Sequence, residues 1–480
     1  MLTRATWHDV ILAESTDCVV VEGHYYFPEE SVRYDLLRPS PERTHCAWKG
    51  EAHYYDIQVN GETNSAAAWH YPTPDNRFER YARYVSFRKG VEIRRISLET
   101  GTEYSRIRSR NAKSRHASLL EAEVFRFLHE VPKTEIHLHM EAVASADSIY
   151  DLMIKNRLQL PGIRSRDDMH ARFQVNSLAE FVDLYINVIQ HCIVEEADFA
   201  YLVRDVHNYL LRNSIYYAEV FFSPSKFLKN GLSFARMIDI LAREAQQAEE
   251  QDNIAIRFLV DVSRTYGVEN ASRNLDLVLR HPNPFVPGIG LGGAEEAGPA
   301  RDFAEVFTRA KDAGLHRVAH AGEVIGPESI RDALHLLHAE RIGHGISAQF
   351  DESLMAHLKS HSIPLEVCPT SNVFTRKYVH MLAEHPIRKF YDAGLLVTVN
   401  TDDPSVFGIE LADEYMNLYT QCGFSLKEII QLIYNNLRAC FLTEEKKQTY
   451  ARRLKESIEH LRNAAPEEIR AEIVLPADLA

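Results

Sequence analysis

One stretch decides the fold: Lys133-Thr134-Glu135-Ile136-His137-Leu138-His139. From this point, short apolar strands alternate along the chain with amphipathic helical stretches. Residues two apart on a strand point to the same face, so His137 and His139 can bind one metal ion together. A His-x-His pair alone is weak evidence for a metal site, and further ligands have to come from elsewhere in the chain.

Eight segments have the composition of buried strands: Thr134–His139, Tyr216–Phe222, Ile256–Val262, Phe285–Leu291, His316–Ala321, Arg341–Gly345, Pro364–Cys368 and Val397–Thr401. Helical stretches such as 301–313 and 327–338 supply the crossovers between them. Eight strands that alternate with helices predict an α/β fold of the (β/α)8 TIM barrel type. The long insertion after the first strand, with a helical pattern at 177–185, is expected to lie over the mouth as a lid.

Polar residues end several of these strands, which core packing does not require. His320 and Glu323 end the fifth strand, His344 the sixth, and Asp402 and Asp403 the eighth. Active sites of such barrels lie at the carboxyl ends of the strands, so these side chains are expected to meet there. Three imidazoles and a carboxylate form a mixed nitrogen and oxygen site that suits zinc and leaves room for water. Glu323 and His344 then remain as groups that can handle protons.

Bulk composition limits the possible functions. The 480 residues carry a net charge of −14, which argues against broad nucleic-acid binding because that needs a basic face. There is no apolar run of membrane-spanning length and no secretory signal at the N-terminus. Six cysteines without CxxC pairs are typical of reduced thiols, which predicts a cytoplasmic protein. The oligomeric state cannot be predicted.

The first part of the chain has a different character. Residues 1–104 are predicted to form a small β-rich domain, with strands at 19–21 and 54–59 and a turn at Asn60-Gly61. Its three tryptophans, Trp7, Trp48 and Trp69, are expected in the core, and an aromatic-lined pocket is the alternative. A basic linker is predicted at 105–116. The barrel domain, with a charged helical tail, is predicted at 117–480.

The motifs of the second part resemble the adenosine deaminase family of metal-dependent hydrolases over roughly residues 130–445. The resemblance rests on an ordered set of segments: 133–139, Ala218-Glu219-Val220-Phe221-Phe222-Ser223-Pro224, Gly288-Ile289-Gly290-Leu291-Gly292-Gly293-Ala294-Glu295, His320-Ala321-Gly322-Glu323, Gly343-His344-Gly345, Glu366-Val367-Cys368-Pro369-Thr370-Ser371-Asn372 and Thr401-Asp402-Asp403-Pro404. It implies zinc-dependent hydrolytic deamination of a purine in a barrel of the metal-dependent hydrolase type.

The resemblance also implies a role for each matching position. His137, His139, His320 and Asp402 look like the ligands of one Zn²⁺ per chain. Glu323 matches the proton donor to the purine N1, and His344 matches the group that helps to deprotonate and orient the metal-bound water. Further matches concern substrate contacts: Asp403 with N7, the backbone N–H of Gly293 with N3, and the acidic Glu141 with the ribose 5′-OH.

Several departures from the family pattern concern the sugar side of the substrate. Adenosine-specific members usually have Leu-Asp-Gly after the His-x-His pair, and this chain has Met140-Glu141-Ala142. Phe221 stands where an arginine is common. The expected substrates are adenosine and 2′-deoxyadenosine, bound as small-molecule purine nucleosides and converted to the 6-oxo product in purine salvage or catabolism. A 5′-modified adenosine and free adenine are the alternatives.

Other interpretations of the chain stay open. A different barrel amidohydrolase is disfavoured because strand four ends in Leu291-Gly292-Gly293, without the lysine that many such enzymes carboxylate. A non-catalytic nucleoside sensor is disfavoured because every proposed ligand and proton-transfer residue is present. The N-terminal segments Val21-Glu22-Gly23-His24-Tyr25-Tyr26-Phe27-Pro28, Trp48-Lys49-Gly50, Tyr54-Tyr55-Asp56 and Ala68-Trp69-His70-Tyr71-Pro72 resemble a small β-tent-like family of unknown function.

Overall fold

The computed structural model describes residues 2–8, 10–15, 18–21, 24–46, 49–74, 82–96, 112–175 and 177–479. The chain divides into two compact units, Met1–Phe125 and Arg126–Ala480. Helix α1, Ala112–Glu130, spans the division between them. The last five residues of the predicted linker, 112–116, are therefore helical, and its first seven lie outside the described residues.

Among its described residues, the first unit has nine strands in two antiparallel sheets. They are β1 Leu2–Trp7, β2 Val10–Ser15, β3 Val19–Val21, β4 His24–Phe27, β5 Leu37–Cys46, β6 Gly50–Val59, β7 Glu62–His70, β8 Val85–Phe87 and β9 Glu92–Ile96. One sheet has the order β2-β1-β9, and the other has the order β3-β4-β8-β7-β6-β5. Ala5 and Leu12 from the first sheet pack with Phe27 and Ile57 from the second in one apolar core.

The predicted turn joins β6 to β7. Asn60 and Gly61 have φ values of 52° and 83°, the left-handed backbone that a two-residue hairpin turn needs at both central positions. Trp69 is buried and Trp7 packs at the edge of the apolar core, in agreement with a core role for these two tryptophans. Trp48 lies outside the described residues.

The second unit is the predicted barrel. Its eight parallel strands are β10 Lys133–His139, β11 Ile215–Phe222, β12 Ala255–Asp261, β13 Gly288–Leu291, β14 His316–Ala321, β15 Arg341–His344, β16 Leu365–Val367 and β17 Val397–Val399, hydrogen-bonded in that order. The barrel closes at its mouth, where the backbone N–H of His139 donates to the carbonyl of Asp402 over 3.0 Å. All eight predicted strands are confirmed, with ends that shift by no more than a few residues.

The helices surround the barrel and cover its ends. After α1 they are α2 Met140–Val143, α3 Ala146–Lys155, α4 Arg166–Phe173, α5 Leu178–Asp183, α6 Gln190–Cys192, α7 Phe199–Arg212, α8 Ser225–Lys229, α9 Phe234–Asp252, α10 Val268–Arg280, α11 Ala304–Asp312, α12 Pro327–His335, α13 Glu352–Ser360, α14 Pro369–Thr375, α15 Ile387–Ala393, α16 Pro404–Phe407, α17 Leu411–Gln421, α18 Leu426–Ala439, α19 Glu444–Ala464 and α20 Glu467–Arg470. Within the described part of the chain, none has the length and apolar content to cross a bilayer.

The insertion after β10 carries helices α2 to α7, as the long gap between the first two strands predicts. A π-helical segment, Leu184–Ile189, continues α5 and leads directly into α6. Such segments are rare and occur frequently at functional sites. Phe181 of α5 stacks on Phe407 of α16 at a ring distance of 5.9 Å, which fixes the insertion against the loop after the last barrel strand.

Candidate metal centre and active site

Four side chains converge at the carboxyl end of the barrel. His137 and His139 lie at the end of β10, His320 lies in β14, and Asp402 follows β17. One ligand atom from each lies within 4.8 Å of the others. Asp402 has a φ of 66°, an uncommon backbone for a residue with a side chain, and this backbone accompanies the closing contact with β10. Barrel closure therefore brings Asp402 to the histidine pair.

The spacing of these atoms fits one tetrahedral divalent cation. His139 Nε2 lies 3.1 Å from His320 Nε2 and 3.2 Å from Asp402 Oδ1, and His137 Nε2 lies 3.4 Å from Asp402 Oδ1. Ligands about 2.0–2.1 Å from a tetrahedral ion are about 3.3 Å from one another. His137 Nε2 and Asp402 Oδ1 are buried and make no well-aligned hydrogen bond with any described residue. These orphaned atoms fit a metal ion.

The pKa shifts of the four residues reflect their crowding. Burial alone lowers the pKa of His137, but the nearby carboxylates of Asp402 and Glu366 outweigh it and raise that pKa to about 10. Burial and the neighbouring histidines hold the pKa of His320 well below its usual range. Burial opposes ionisation of Asp402, yet His137 and His139 keep its pKa well below the usual range. A metal ion bound between the four side chains would take the place of the protons that the histidines hold next to Asp402. The reason is that metal ligands are neutral imidazoles and ionised carboxylates.

A second row of side chains holds the first in place. His137 Nδ1 lies 2.7 Å from Glu366 Oε2, which orients the ring so that Nε2 faces the other ligands. Ser371 donates to Asp402 Oδ2 over 2.7 Å. The sequence carried a signal for Glu366, because a charged residue inside an apolar strand has to have a buried partner. Ser371 belongs to a segment that resembles the adenosine deaminase family, but the resemblance implies no role for it.

Glu323 and His344 lie together beside the metal ligands. His344 Nε2 is 3.6 Å from Glu323 Oε2 and 3.9 Å from Asp402 Oδ2. His344 has a φ of 60°, so it adopts the left-handed backbone, as Asp402 does. Thr375 donates to Glu323 Oε1 over 2.8 Å, which leaves Oε2 as the oxygen that faces His344. Sequence reasoning missed Thr375, which stands four residues after Ser371 on the same face of α14.

The loop that carries Glu323 is fixed by another buried carboxylate, Glu295. Its Oε2 accepts the backbone N–H groups of Glu323, Val324 and Ile325 at 2.8–3.1 Å, and its Oε1 accepts the N–H of Gly322 at 2.6 Å. One side chain from the loop after β13 thereby determines the path of the loop after β14. The Glu323 residue is therefore held through its backbone as well as by Thr375.

The predicted substrate contacts surround the same mouth. Gly293 has a φ of 93°, and a Cβ there would lie 2.4 Å from Thr265 Oγ1, so only glycine fits. Asp403 is buried next to Asp402, and burial and that neighbouring carboxylate raise its pKa well above the usual range. Phe221 stacks on the ring of His139 at 5.1 Å, where it fills the barrel interior beneath the histidine.

Glu141 lies in α2, two residues after His139, and is fully buried. Gln190 donates to its Oε1 over 3.4 Å, while Oε2 makes no well-aligned hydrogen bond with the described residues. Burial raises the pKa of Glu141 to about 7. Gln190 directly follows the π-helical segment, so the lid insertion encloses this carboxylate.

The sequence matches the profiles of two known protein families, one in each part of the chain. The profile of the adenosine deaminase family matches residues 132–457, more than half of the chain. The chain belongs to the adenosine deaminase family. It is a hydrolytic deaminase with a His-His-His-Asp metal site. Residues 2–97 match a domain of unknown function, DUF427, in agreement with the resemblance seen for the N-terminal part.

Similar proteins of this family are named as deaminases of two kinds, aminodeoxyfutalosine deaminase and adenine deaminase. An aminodeoxyfutalosine deaminase of Streptomyces avermitilis is 35% identical over 322 residues, which cover 66% of this chain and 88% of that protein. An adenine deaminase of Geotalea uraniireducens is 34% identical over 344 residues, covering 70% and 94%. The crystal structure of an adenine deaminase from Arthrobacter aurescens has a TM-score of 0.65 at 31% identity and covers 69% of this chain and 99% of that one. These names do not support adenosine itself, the substrate expected from the sequence, and they favour the two alternatives.

Proposed function

We propose that this deaminase hydrolyses the 6-amino group of free adenine, with zinc as its metal, to give hypoxanthine and ammonia. The observation that carries the proposal is the buried carboxylate of Glu141, whose Oε2 makes no well-aligned hydrogen bond with the described residues, although Tyr185 lies close enough to lower its pKa. Free adenine has an N9–H that needs an acceptor in a closed site. A nucleoside has no such hydrogen, because the sugar occupies N9. Relatives named adenine deaminase support the same substrate.

The donor set supports zinc. Three imidazole nitrogens and one carboxylate oxygen, spaced for a tetrahedral ion, are ligands that zinc commonly takes in catalytic sites. Zinc held by His137, His139, His320 and Asp402 would lower the pKa of the water that is consumed in the reaction. We expect about one equivalent of zinc per chain in metal analysis of the purified protein.

The surrounding residues take the remaining roles. Glu323 donates a proton from Oε2 to N1 of the purine, which makes C6 more electrophilic. Asp403 forms a hydrogen bond with N7, and the backbone N–H of Gly293 donates to N3. These contacts place C6 above the metal ligands and orient the ring. His344 lies next to Glu323 and orients the attacking water.

A second candidate substrate is a 5′-modified adenosine. The aminodeoxyfutalosine deaminase that is 35% identical to this chain favours it. In that case Glu141 would face the sugar instead of N9, and the lid insertion would have to leave room for a larger substrate.

The test is ammonia release from a panel of adenine, adenosine, 2′-deoxyadenosine, AMP and 5′-thio-substituted adenosines. We expect adenine to have the highest kcat/KM, and Glu141→Leu to lower that value by roughly 10- to 100-fold, the effect of one lost hydrogen bond to a charged group. Glu180→Leu, a change on the exposed face of α5, serves as the control. Faster turnover of a 5′-modified nucleoside would favour the second candidate, and no release from any purine by metal-loaded protein would refute the proposal.

A further inference from the structure

A chain of buried hydrogen bonds leads away from His344 into the protein. His344 Nδ1 lies 3.1 Å from Asn372 Nδ2, and Asn372 Oδ1 lies 3.2 Å from His385 Nε2. The other nitrogen of His385, Nδ1, accepts the backbone N–H of Ile387 over 3.1 Å. His344, Asn372 and His385 are each less than 5% exposed, so solvent does not satisfy any of these groups.

The backbone N–H of Ile387, at the far end of this series of hydrogen bonds, determines where each side-chain hydrogen lies. The N–H of Ile387 can only donate, so Nδ1 of His385 carries a lone pair. Burial lowers the pKa of His385 to about 3, so this ring is neutral and carries its one hydrogen on Nε2. That hydrogen requires an acceptor, which fixes the carbonyl oxygen of Asn372 toward His385.

The amide group of Asn372 then has only one orientation left. With its oxygen toward His385, its NH₂ group faces His344 and donates to Nδ1 of that ring. A neutral imidazole that accepts at Nδ1 carries its hydrogen on Nε2. Nε2 is the atom that faces Glu323 Oε2 at 3.6 Å and Asp402 Oδ2 at 3.9 Å.

We propose that Asn372 and His385 are positioning residues that hold neutral His344 with its hydrogen on Nε2, so that His344 acts in the reaction as a hydrogen-bond donor. The inference rests on the proposed function for the role of His344, while the hydrogen-bond chain stands independently of the substrate. It departs from the role implied by the family resemblance, in which this histidine helps to deprotonate water. A ring nitrogen that already carries a hydrogen has no lone pair with which to accept a proton.

The direct test is ¹⁵N NMR of the full-length, metal-loaded protein, deuterated except for its protonated, ¹⁵N-labelled histidines. Long-range couplings between ring hydrogens and nitrogens distinguish the two neutral tautomers. The signal of His344 is assigned by its loss in His344→Gln, and that of His385 by its loss in His385→Gln. We expect both rings to be neutral with the hydrogen on Nε2, and a hydrogen on Nδ1 of His344 overturns the proposal. This measurement needs neither turnover nor a known substrate.

Kinetics provide the second test, with whichever 6-aminopurine the wild-type protein turns over. Glutamine carries an NH₂ donor at the side-chain end but cannot accept a proton there, whereas leucine can do neither. We expect His344→Gln to keep kcat within roughly 10-fold of the wild type, and His344→Leu to lose roughly 100-fold or more at unchanged metal content, the effect of one lost preorganised donor. Equal losses in both variants, with both folded and metal-loaded, contradict the donor role.

The positioning role of Asn372 is tested by Asn372→Asp, with Asn463→Asp on the exposed face of α19 as the matched control. A carboxylate at 372 can only accept, so it moves the hydrogen of His344 to Nδ1 or makes the ring doubly protonated. We expect kcat to fall roughly 10- to 100-fold with little change in KM, together with the corresponding change in the NMR signal. An unchanged kcat and an unchanged signal refute the role. Failure of the wild type to deaminate any purine refutes the proposed function alone, because the wild-type NMR result still decides the tautomer.

Discussion

The barrel interior contains two buried charged clusters. They differ in whether a fixed cation of the protein faces their carboxylates. Around the metal site, the carboxylate of Asp402 lies among three imidazoles, and these four side chains include no guanidinium or ammonium group. Beneath it, the Arg341 guanidinium meets Glu219 and Glu366, each at 2.5 Å. Both clusters are largely buried, so burial alone does not mark a functional site. Incomplete pairing does: the first cluster lacks a fixed cation opposite its carboxylate, and a buried charge is costly unless a ligand completes the pairing.

The paired cluster supports the incomplete one. Glu366 contacts Arg341 through Oε1 and His137 through Oε2, so the same carboxylate belongs to both. Glu219 is held in turn by the hydroxyl of Tyr217 at 2.8 Å and the backbone N–H of Phe441 at 2.6 Å. The orientation of His137, a candidate metal ligand, therefore depends on Glu366 and, through Glu366, on Arg341.

The largest effect is expected from breaking the incomplete cluster. Asp402→Asn keeps the size of the side chain and tolerates the positive φ, but it removes the only carboxylate of the ligand set. We expect bound metal to be lost and turnover to fall roughly a thousandfold or more, since a catalytic metal contributes several kcal/mol. Metal analysis and ammonia release measure the two effects. Asp239→Asn, on the exposed face of α9, is the control; normal metal content in Asp402→Asn would contradict the assigned ligand.

Breaking the paired cluster is expected to affect stability first. Arg341→Met leaves Glu219 and Glu366 buried without their cation, which costs about 3–5 kcal/mol in free energy of unfolding. Arg301→Met, at an exposed ion pair with Asp332, should cost less than about 1 kcal/mol. Urea denaturation of the metal-loaded proteins measures both values. A loss no larger in Arg341→Met than in Arg301→Met would show that the buried pairs do not stabilise the barrel.

The smallest effect concerns a buried carboxylate outside both clusters. Glu414 accepts the backbone N–H of Thr370 over 3.0 Å, and burial raises its pKa to about 8 from an ordinary value of 4.5. Because the folded protein binds this proton more tightly than the unfolded chain does, the stabilisation is complete below pH 4.5 and is lost as pH rises through 8.

Glu414→Gln removes this dependence, because the glutamine amide does not ionise. As pH rises from 5 to 8.5, we expect the free energy of unfolding of the variant to increase relative to that of the wild type by roughly 1–3 kcal/mol. Urea denaturation across this pH range is the measurement, with the exposed Glu328→Gln of α12 as the control for the substitution type. Parallel stability curves for Glu414→Gln and the wild type would show that this carboxylate does not titrate as inferred.

Much of the fold and of the metal site could be predicted because the signals are local. Short apolar strands alternate with amphipathic helices, and a His-x-His pair shares one face of a strand. His320, His344 and Asp402 each stand at a strand end, so a barrel places them at one rim. Glu323, Asp403 and Gly293 lie at this rim, in positions that are compatible with the roles predicted for them. They stay predictions until variants are measured.

The supporting residues could not be predicted, because each acts across a contact between elements far apart in sequence. Glu295 holds a loop about thirty residues away, a separation that its hydrogen bonds show directly. Asn372 joins His344 to His385 from a helix that belongs to neither. The start of α1 at Ala112 was also missed, because the basic residues near it have no apolar periodicity.

The sequence by itself determined the barrel, the identity of the four candidate metal ligands and the class of reaction, because strand period, strand ends and motif spelling are properties of neighbouring residues. Only the tertiary structure decided which buried charges are paired, which are left for a ligand, and how the hydrogen of His344 is placed. These depend on hydrogen-bond partners that barrel closure brings together. A donor and an acceptor separated by tens or hundreds of residues have no pattern in the sequence until folding places them 3 Å apart.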